Sequence, residues 1–342
     1  MANMTICECT ISDEKLKAAW TKWEKQKDAS PFIYYGYMKH VYTFTKLFIA
    51  QYKPLIYCIK DPNGEILAIA PLKKNIFKGQ IKMLGDIQGC GMADFLFNPT
   101  IDEDKRTQCI EMFIEKMGPS AVLRRINSDS QLVKYLDEHC NIVSKKTTDL
   151  CVSLNLASTF DEHFSTLSSS VRQNVRTAYN RMKRDGRSFE MKIYDFSTKM
   201  PDECKKELMV LYMRRLFAKY KRYKGIKLWY ERFVYQYAKH DTKSLFTQEN
   251  QFHVILYIDG KMAGFMNCFK DYANTRIVVP RLAINEEFRF YSPGYIMLCE
   301  TIKHLTEKTP IRILDLSRGN EKYKFDLGGQ AYETMSLKIK QR

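Results

Sequence analysis

Residues Ile311 to Gly329 read IRILDLSRGNEKYKFDLGG, and the reading of this stretch decides the fold. Its opening, Ile311 to Leu316, alternates aliphatic positions over a length suited to a buried strand. It then breaks into a charged run carrying Arg318, Glu321, Lys322, Lys324 and Asp326, bounded by Gly319 and by Gly328 and Gly329. Charged side chains gathered at the carboxyl end of a strand, with glycines that permit tight turns, are what an α/β site needs. In isolation the same residues would equally suit a solvated loop.

Upstream of this strand, the pattern predicts a helix over about Tyr295 to Lys308, a loop from Asn285 to Gly294 and a strand from Thr275 to Ile284. Before that comes a hairpin, Phe252 to Ile258 and Lys261 to Lys270, turned at Asp259-Gly260. Helices are expected over roughly 158–186 and 202–240, and Tyr332 to Ile339 reads as a closing strand. The first half repeats the order. Ser12 opens a helix to about Lys27, and a second helical stretch follows the aromatic cluster Phe32, Tyr34, Tyr35 and Tyr37. Leu55 to Ile59 and Ile66 to Leu72 flank the turn Asp61-Pro62-Asn63-Gly64, a strong hairpin signal. A strand near Ile81, a loop with Gly85, Gly89 and Gly91, a helix from Asp102 to Met117, a strand from Val122 to Ile126 and a helix from Ser128 complete it. Helices, hairpin, strand, helix, strand, twice over, predict two similar domains, 1–150 and 151–342, each a mixed, mainly antiparallel sheet flanked by helices.

Composition narrows the function classes. The chain has 342 residues, 45% hydrophobic and 13% aromatic, enough for real cores. It has no run of 18 apolar residues, which excludes a transmembrane helix, and its start lacks the layout of a signal peptide. Ten cysteines are scattered, Cys7 and Cys9 being the closest pair, with no zinc spacing; no metal is expected. Reduced thiols in a cytoplasmic protein are the expectation. Of the net charge of +16, residues 1–150 hold 21 Lys+Arg against 18 Asp+Glu, and residues 151–342 hold 34 against 21. A basic second half points to a phosphate-bearing or polyanionic partner.

These pieces also carry a resemblance. They are Ser30-Pro31-Phe32, the hairpin ending Ile69-Ala70-Pro71-Leu72, Leu84-Gly85, the Arg172/Asn174/Arg176/Arg181 helix, Ser292-Pro293-Gly294, and Asp315 with Arg318-Gly319-Asn320-Glu321 and Tyr323-Lys324. In this order the chain resembles the GNAT superfamily of acyltransferases. More narrowly it resembles the CelD/BioF2-like acetyltransferases, relatives of the Fem aminoacyl-transferases. The resemblance implies an N-acyltransferase using acetyl- or another acyl-coenzyme A on an amine, such as an amino sugar or nucleotide-linked sugar in cell-envelope or exopolysaccharide metabolism. It implies a donor cradle at Arg289, Tyr291, Ser292, Pro293, Gly294 and Tyr295, where helix-start N–H groups receive a pyrophosphate. This loop has one glycine where the superfamily's usual loop has more. Asp315, Glu321 and Tyr323 are the catalytic candidates: a carboxylate to take the amine proton and a hydroxyl to meet the departing thiolate. Asp315, ending a buried strand, is the preferred base; a loop-capping carboxylate is its alternative role.

Arg172, Arg176, Arg318 and Lys324 are the expected anion- or substrate-binding residues. Arg172 and Arg176 repeat at helical spacing, where like charges favour a polyanion, though a solvated face has the same pattern. The aromatics from Tyr212 to Tyr237 could stack bases, but suit a helical core better. Two other readings stay open: aminoacyl transfer from charged tRNA, and a degenerate, non-catalytic binding module.

Overall fold

The computed structural model describes residues 4–25, 30–86, 92–118, 120–139, 142–220 and 246–340. Most of the expected 85–91 glycine loop lies outside these residues, as do the end of the 202–240 helix and its aromatics Tyr223, Trp229, Tyr230, Phe233, Tyr235 and Tyr237. The chain divides into two compact units. Unit 1 holds residues 1–151, 271–273 and 331–342, and unit 2 holds 152–270 and 274–330.

Unit 1 runs β1 (Thr5–Cys9), α1 (Glu14–Trp23), α2 (Tyr35–Phe48), β2 (Tyr52–Lys60), β3 (Ile66–Asn75), β4 (Ile81–Met83), β5 (Leu96–Phe97), α3 (Glu103–Met117), β6 (Ser120–Asn127), α4 (Gln131–His139) and β7 (Ile142–Asn155). Its strands lie in the order β1-β2-β3-β4-β6-β13-β7, with β5 beside β3, where β13 is the closing strand Gly329–Lys340. The β2–β3 hairpin forms as its turn predicts, with Leu55 opposite Leu72. Asp61 Oδ1 accepts from the Asn63 and Glu65 N–H groups, closing the turn. The β4–β6 pair is parallel, with α3 as its crossover. The first helix starts later than Ser12 suggests: Asp13 is its cap, accepting from the Leu16 N–H at 2.9 Å. A carboxylate one residue nearer the helix does what the serine was expected to do. Trp20 is fully buried and donates its indole N–H to the Ile33 carbonyl at 2.7 Å.

Unit 2 runs from the end of β7 through α5 (Phe160–Thr166), α6 (Ser169–Arg184), β8 (Phe189–Asp195), α7 (Asp202–Tyr220), β9 (Gln251–Ile258), β10 (Lys261–Lys270) and β11 (Arg276–Ile284). A short 3-10 turn, Glu286–Tyr291, leads into α8 (Pro293–Lys308), β12 (Ile313–Arg318) and α9 (Lys322–Asp326). The sheet order is β8-β9-β10-β11-β12-β7. The helix expected over 158–186 is two, because Thr159 and Glu162 form a capping box for α5 and Ser168 caps α6 afresh. Alternation along the strands gives the sheet two apolar faces. One packs Val254, Leu256 and Met266 against α6 and α8, with Val175, Met182, Ile296 and Met297. The other packs Ile255, Phe265 and Ala283 against α7, with Cys204, Leu208 and Leu211.

Candidate active site

The site of unit 2 begins with a pair of strands that part. β11 and β12 run parallel with α8 as their crossover, and their register holds at Arg276–Ile313, Ile277–Leu314 and Val278–Asp315. Beyond Val278, β11 continues to Ile284 and, in the pairings among the described residues, is matched with β10 through Arg281–Asn267, Leu282–Met266, Ala283–Phe265 and Ile284–Gly264. The bulge in β10 between Asn267 and Phe269 lies beside the point where this happens.

A cavity of about 700 Å³ lies against the free end of β11. Leu282, Ala283 and Ile284 form one wall, and Ser292, Pro293, Gly294 and Tyr295 bring the first turn of α8 to it. Glu321 and Tyr323 reach it from the segment after β12. Leu211, Arg214, Arg215 and Ala218 close the remaining side from α7.

The start of α8 is not capped by a side chain. Ser292 sits in the left-handed region at φ 52°, its side chain makes no capping bond, and no acidic residue occupies the first turn. Pro293 has no N–H to satisfy. The Tyr295 and Ile296 N–H groups turn back to the Ser292 carbonyl, at 3.0 and 3.4 Å. Of the first-turn N–H groups this leaves that of Gly294, with the helix macrodipole, at a cavity whose lining also includes Glu286, Glu287 and Glu321. A Cβ on Gly294 would meet Ile284 Cγ2 at 3.6 Å, an ordinary contact, so packing within the chain leaves room for a larger residue there. Tyr295 donates to Asp326 Oδ2 at 2.9 Å, and burial, aided by that carboxylate, pushes its hydroxyl up to about 12.

The opposite wall holds Glu321 in a clasp. Lys324, only 3% exposed, donates from Nζ to the carbonyls of Leu316 (3.0 Å), Arg318 (2.7 Å) and Gly319 (3.1 Å). The same ammonium lies 3.1 Å from Glu321 Oε2. Gly319, at φ 107°, makes the space: a Cβ there would meet Glu321 Oε2 at 2.3 Å. Burial pushes the Glu321 carboxyl upward, but Lys324, hydrogen bonds and the charge of Arg215 outweigh it, so the net direction is down. Glu321 is therefore a fixed, ionised carboxylate. Burial, with Glu321 adding to it, pushes the neighbouring Tyr323 hydroxyl up to about 12, so it carries its proton at neutral pH.

The cavity thus gathers Arg289, Ser292, Pro293, Gly294, Tyr295, Glu321 and Tyr323 from the sequence candidates. Asp315 lies outside its lining, 1% exposed, with Oδ1 accepting from the Ser317 N–H at 2.7 Å. That bond holds Ser317 in the left-handed turn (φ 53°) that ends β12. Lys324 is committed to the clasp, and Arg318 is absent from the lining. Tyr291 turns away to donate to Asp185 Oδ2 at 3.1 Å. Arg172 donates to the Ser165 and Leu167 carbonyls, both at 2.8 Å, closing the end of α5, and Arg176 lies over the Phe164 ring. Sequence reasoning passed over Arg214 and Arg215. Leu211, Arg214 or Arg215, and Ala218 recur at helical spacing, and that periodicity within a basic stretch was the available signal.

Comparison with known proteins comes to the same region. Residues 169–325 match the family model described as an acetyltransferase (GNAT) domain. No curated protein matches the sequence. Among solved structures the chain is similar to FemX at 10% identity and TM-score 0.60, over 97% of this chain and 96% of that one. It is similar to the C-terminal domain of a putative lysylphosphatidylglycerol synthetase from Agrobacterium fabrum at 12% identity and TM-score 0.56, over 95% and 90%. It is also similar to a tandem GNAT protein from the clavulanic acid biosynthesis pathway at 10% identity and TM-score 0.52, over 98% of both chains. At these identities the likeness is one of fold. Residues 169–325, just under half of the chain, match the acetyltransferase (GNAT) domain model, and the chain shares the fold of a tandem GNAT protein.

Proposed function

We propose that unit 2 transfers an acyl group, acetyl in the first instance, from an acyl-coenzyme A to an amine. The observation that carries this reading is the first turn of α8, acid-free and without a side-chain cap, opening on a cavity beside two strands that part. In the proposed arrangement the donor's pyrophosphate meets the N–H of Gly294 at the start of the helix, and its extended arm runs along the end of β11 toward Tyr323. The amine nitrogen attacks the thioester carbonyl, a C–N bond forms and the C–S bond breaks. Tyr323 donates a proton to the departing thiolate. The ionised Glu321 accepts a hydrogen bond from the attacking amine and orients it; water or Glu321 takes the proton released. Asp315, the expected base, is read instead as the residue that shapes the end of β12.

Calorimetric titration of acetyl-coenzyme A into the full chain tests the reading, with charged and uncharged tRNA in parallel. Micromolar binding of the coenzyme supports it. Salt-sensitive tRNA binding without coenzyme affinity would replace it with aminoacyl transfer, for which the excess of basic residues after 150 is the supporting observation. Silence toward both would leave a binding module.

A further inference from the structure

Unit 1 gathers three thiols that the proposed chemistry does not use. Cys7 and Cys9, two apart on β1, share one face of the strand, and their Sγ atoms are 3.7 Å apart. The register of β1 on β2 sets Cys58 directly opposite Cys7. The Cys58 thiol is also the largest influence lowering the Cys9 thiol. Cys7 and Cys9 are half-buried on an edge strand, whereas Cys58 lies fully buried beneath them. Each of the other described cysteines, at 109, 151, 204, 268 and 299, is buried. Among the described cysteines, a small reagent therefore meets this group first.

We propose that Cys7, Cys9 and Cys58 form a thiol oxidation site that reacts with hydroperoxides and closes a reversible disulfide within unit 1. Cys9 is the attacking sulfur: its thiolate accepts hydrogen bonds from the Cys58 and Cys7 thiols and feels Lys60, which bring it down to about 7. Its sulfur attacks the O–O bond, forming a sulfenic acid and releasing an alcohol, or water from hydrogen peroxide. A neighbouring thiol then displaces water from that sulfur to give a disulfide. Overall two thiols lose two electrons and two protons, and the peroxide is reduced. If Cys58 resolves first, Cys7 attacks the Cys58 sulfur and releases Cys9, the better leaving group; if Cys7 resolves first, Cys58 attacks the Cys7 sulfur and releases Cys9 likewise. The end product is Cys7–Cys58. Directly opposed positions in antiparallel strands hold their Cα atoms about 4.5–5.5 Å apart, inside the range of about 4.4–6.8 Å that disulfides span.

The test treats the full chain with limiting hydrogen peroxide, blocks free thiols and reads intact mass and peptide map. The expected result is loss of two hydrogen masses, reversed by dithiothreitol and mapped to Cys7–Cys58, at least about tenfold faster than any change at Cys109 or Cys204. Cys9→Ser, at a partly exposed edge position, should slow it by about tenfold or more. Oxidation spread evenly over the cysteines, wild-type rate in Cys9→Ser, or arrest at an over-oxidised Cys9 with Cys58 still a thiol would each overturn the proposal. Alkylation by iodoacetamide across pH gives a second reading. Its midpoint at Cys9 is expected near 7 in the wild type and higher in Cys58→Ala; an ordinary thiol midpoint in both overturns the proposed role of Cys9.

Discussion

The two units build the same crossover and finish it differently. In unit 1, α3 joins the parallel strands β4 and β6; in unit 2, α8 joins β11 and β12. The start of α3 is closed by its own side chains. Asp102 caps it, accepting from the Lys105 N–H at 2.8 Å, and Glu103 and Asp104 fill the first turn. The start of α8 has neither a capping bond nor an acid, and β11 runs on well past its pairing with β12, whereas β4 is three residues long. The dipole of the first helix meets carboxylates of its own chain; that of the second meets none in its first turn.

The largest effect is expected from making α8 resemble α3. Gly294→Glu places a carboxylate where the phosphate is proposed to sit, and acetyl-coenzyme A affinity should fall by about a hundredfold or more, near 3 kcal/mol. The mirror change, Glu103→Gln in α3, should leave that affinity unaltered in the same titration. Next comes the opposite wall of the cavity. Gly319→Ala drives a methyl into the space of the Glu321 carboxylate, and kcat/KM should drop by about tenfold or more in a thioester-cleavage assay while circular dichroism is unchanged. Tyr323→Phe should lower kcat by about tenfold or more with little change in KM, since the proton it lacks is needed only in the transition state.

Carboxylates of the two units also titrate in opposite senses. Asp94 in unit 1 accepts from the Ser130 hydroxyl and the Phe95 N–H, yet burial holds its carboxyl up at about 6. The folded chain then keeps this proton at a pH where the unfolded chain has lost it. This group's contribution to stability should fall by on the order of 2 kcal/mol as pH rises from about 4 to about 6. Asp94→Asn should flatten that fall in urea titrations across the acid range. Glu321 works the other way: its lowered value contributes stability above the ordinary glutamate range and loses it on acidification. The smallest effect compares the caps. Asp102→Ala should cost about 1 kcal/mol, whereas Ser292→Ala, which removes no capping bond, should cost a few tenths at most by thermal melting.

The repeating order of elements was legible because it rests on local chemistry. Asp61-Pro62-Asn63-Gly64 and Asp259-Gly260 dictate their turns, and Asp102 its helix, wherever they stand. Strands without such punctuation were hidden. β1, β7 and β8 went unrecognised because Thr5–Cys9, Ile142–Asn155 and Phe189–Asp195 mix polar and half-buried residues and gain their place from a neighbour. The closing strand was expected within 151–342, yet residues 331–342 are grouped with unit 1, where β13 pairs with β6 from Thr334–Asn127 to Lys340–Ser120. Pairing across some two hundred positions leaves no local trace. Around the cavity, Ser292-Pro293-Gly294 was visible as a helix start. Lys324 was read as an anion binder because composition reveals a charge but not the carbonyls that surround it. Arg215 was missed because its role comes from the face of α7 turned toward Glu321.

The most direct measurement is titration of acetyl-coenzyme A into the wild-type chain and into Gly294→Glu, with folding of both verified by thermal melting. Micromolar binding in the wild type, lost in a folded Gly294→Glu, is the predicted result. Equal affinity in the two proteins, or no binding to the wild type, would contradict the claim that the start of α8 receives the donor.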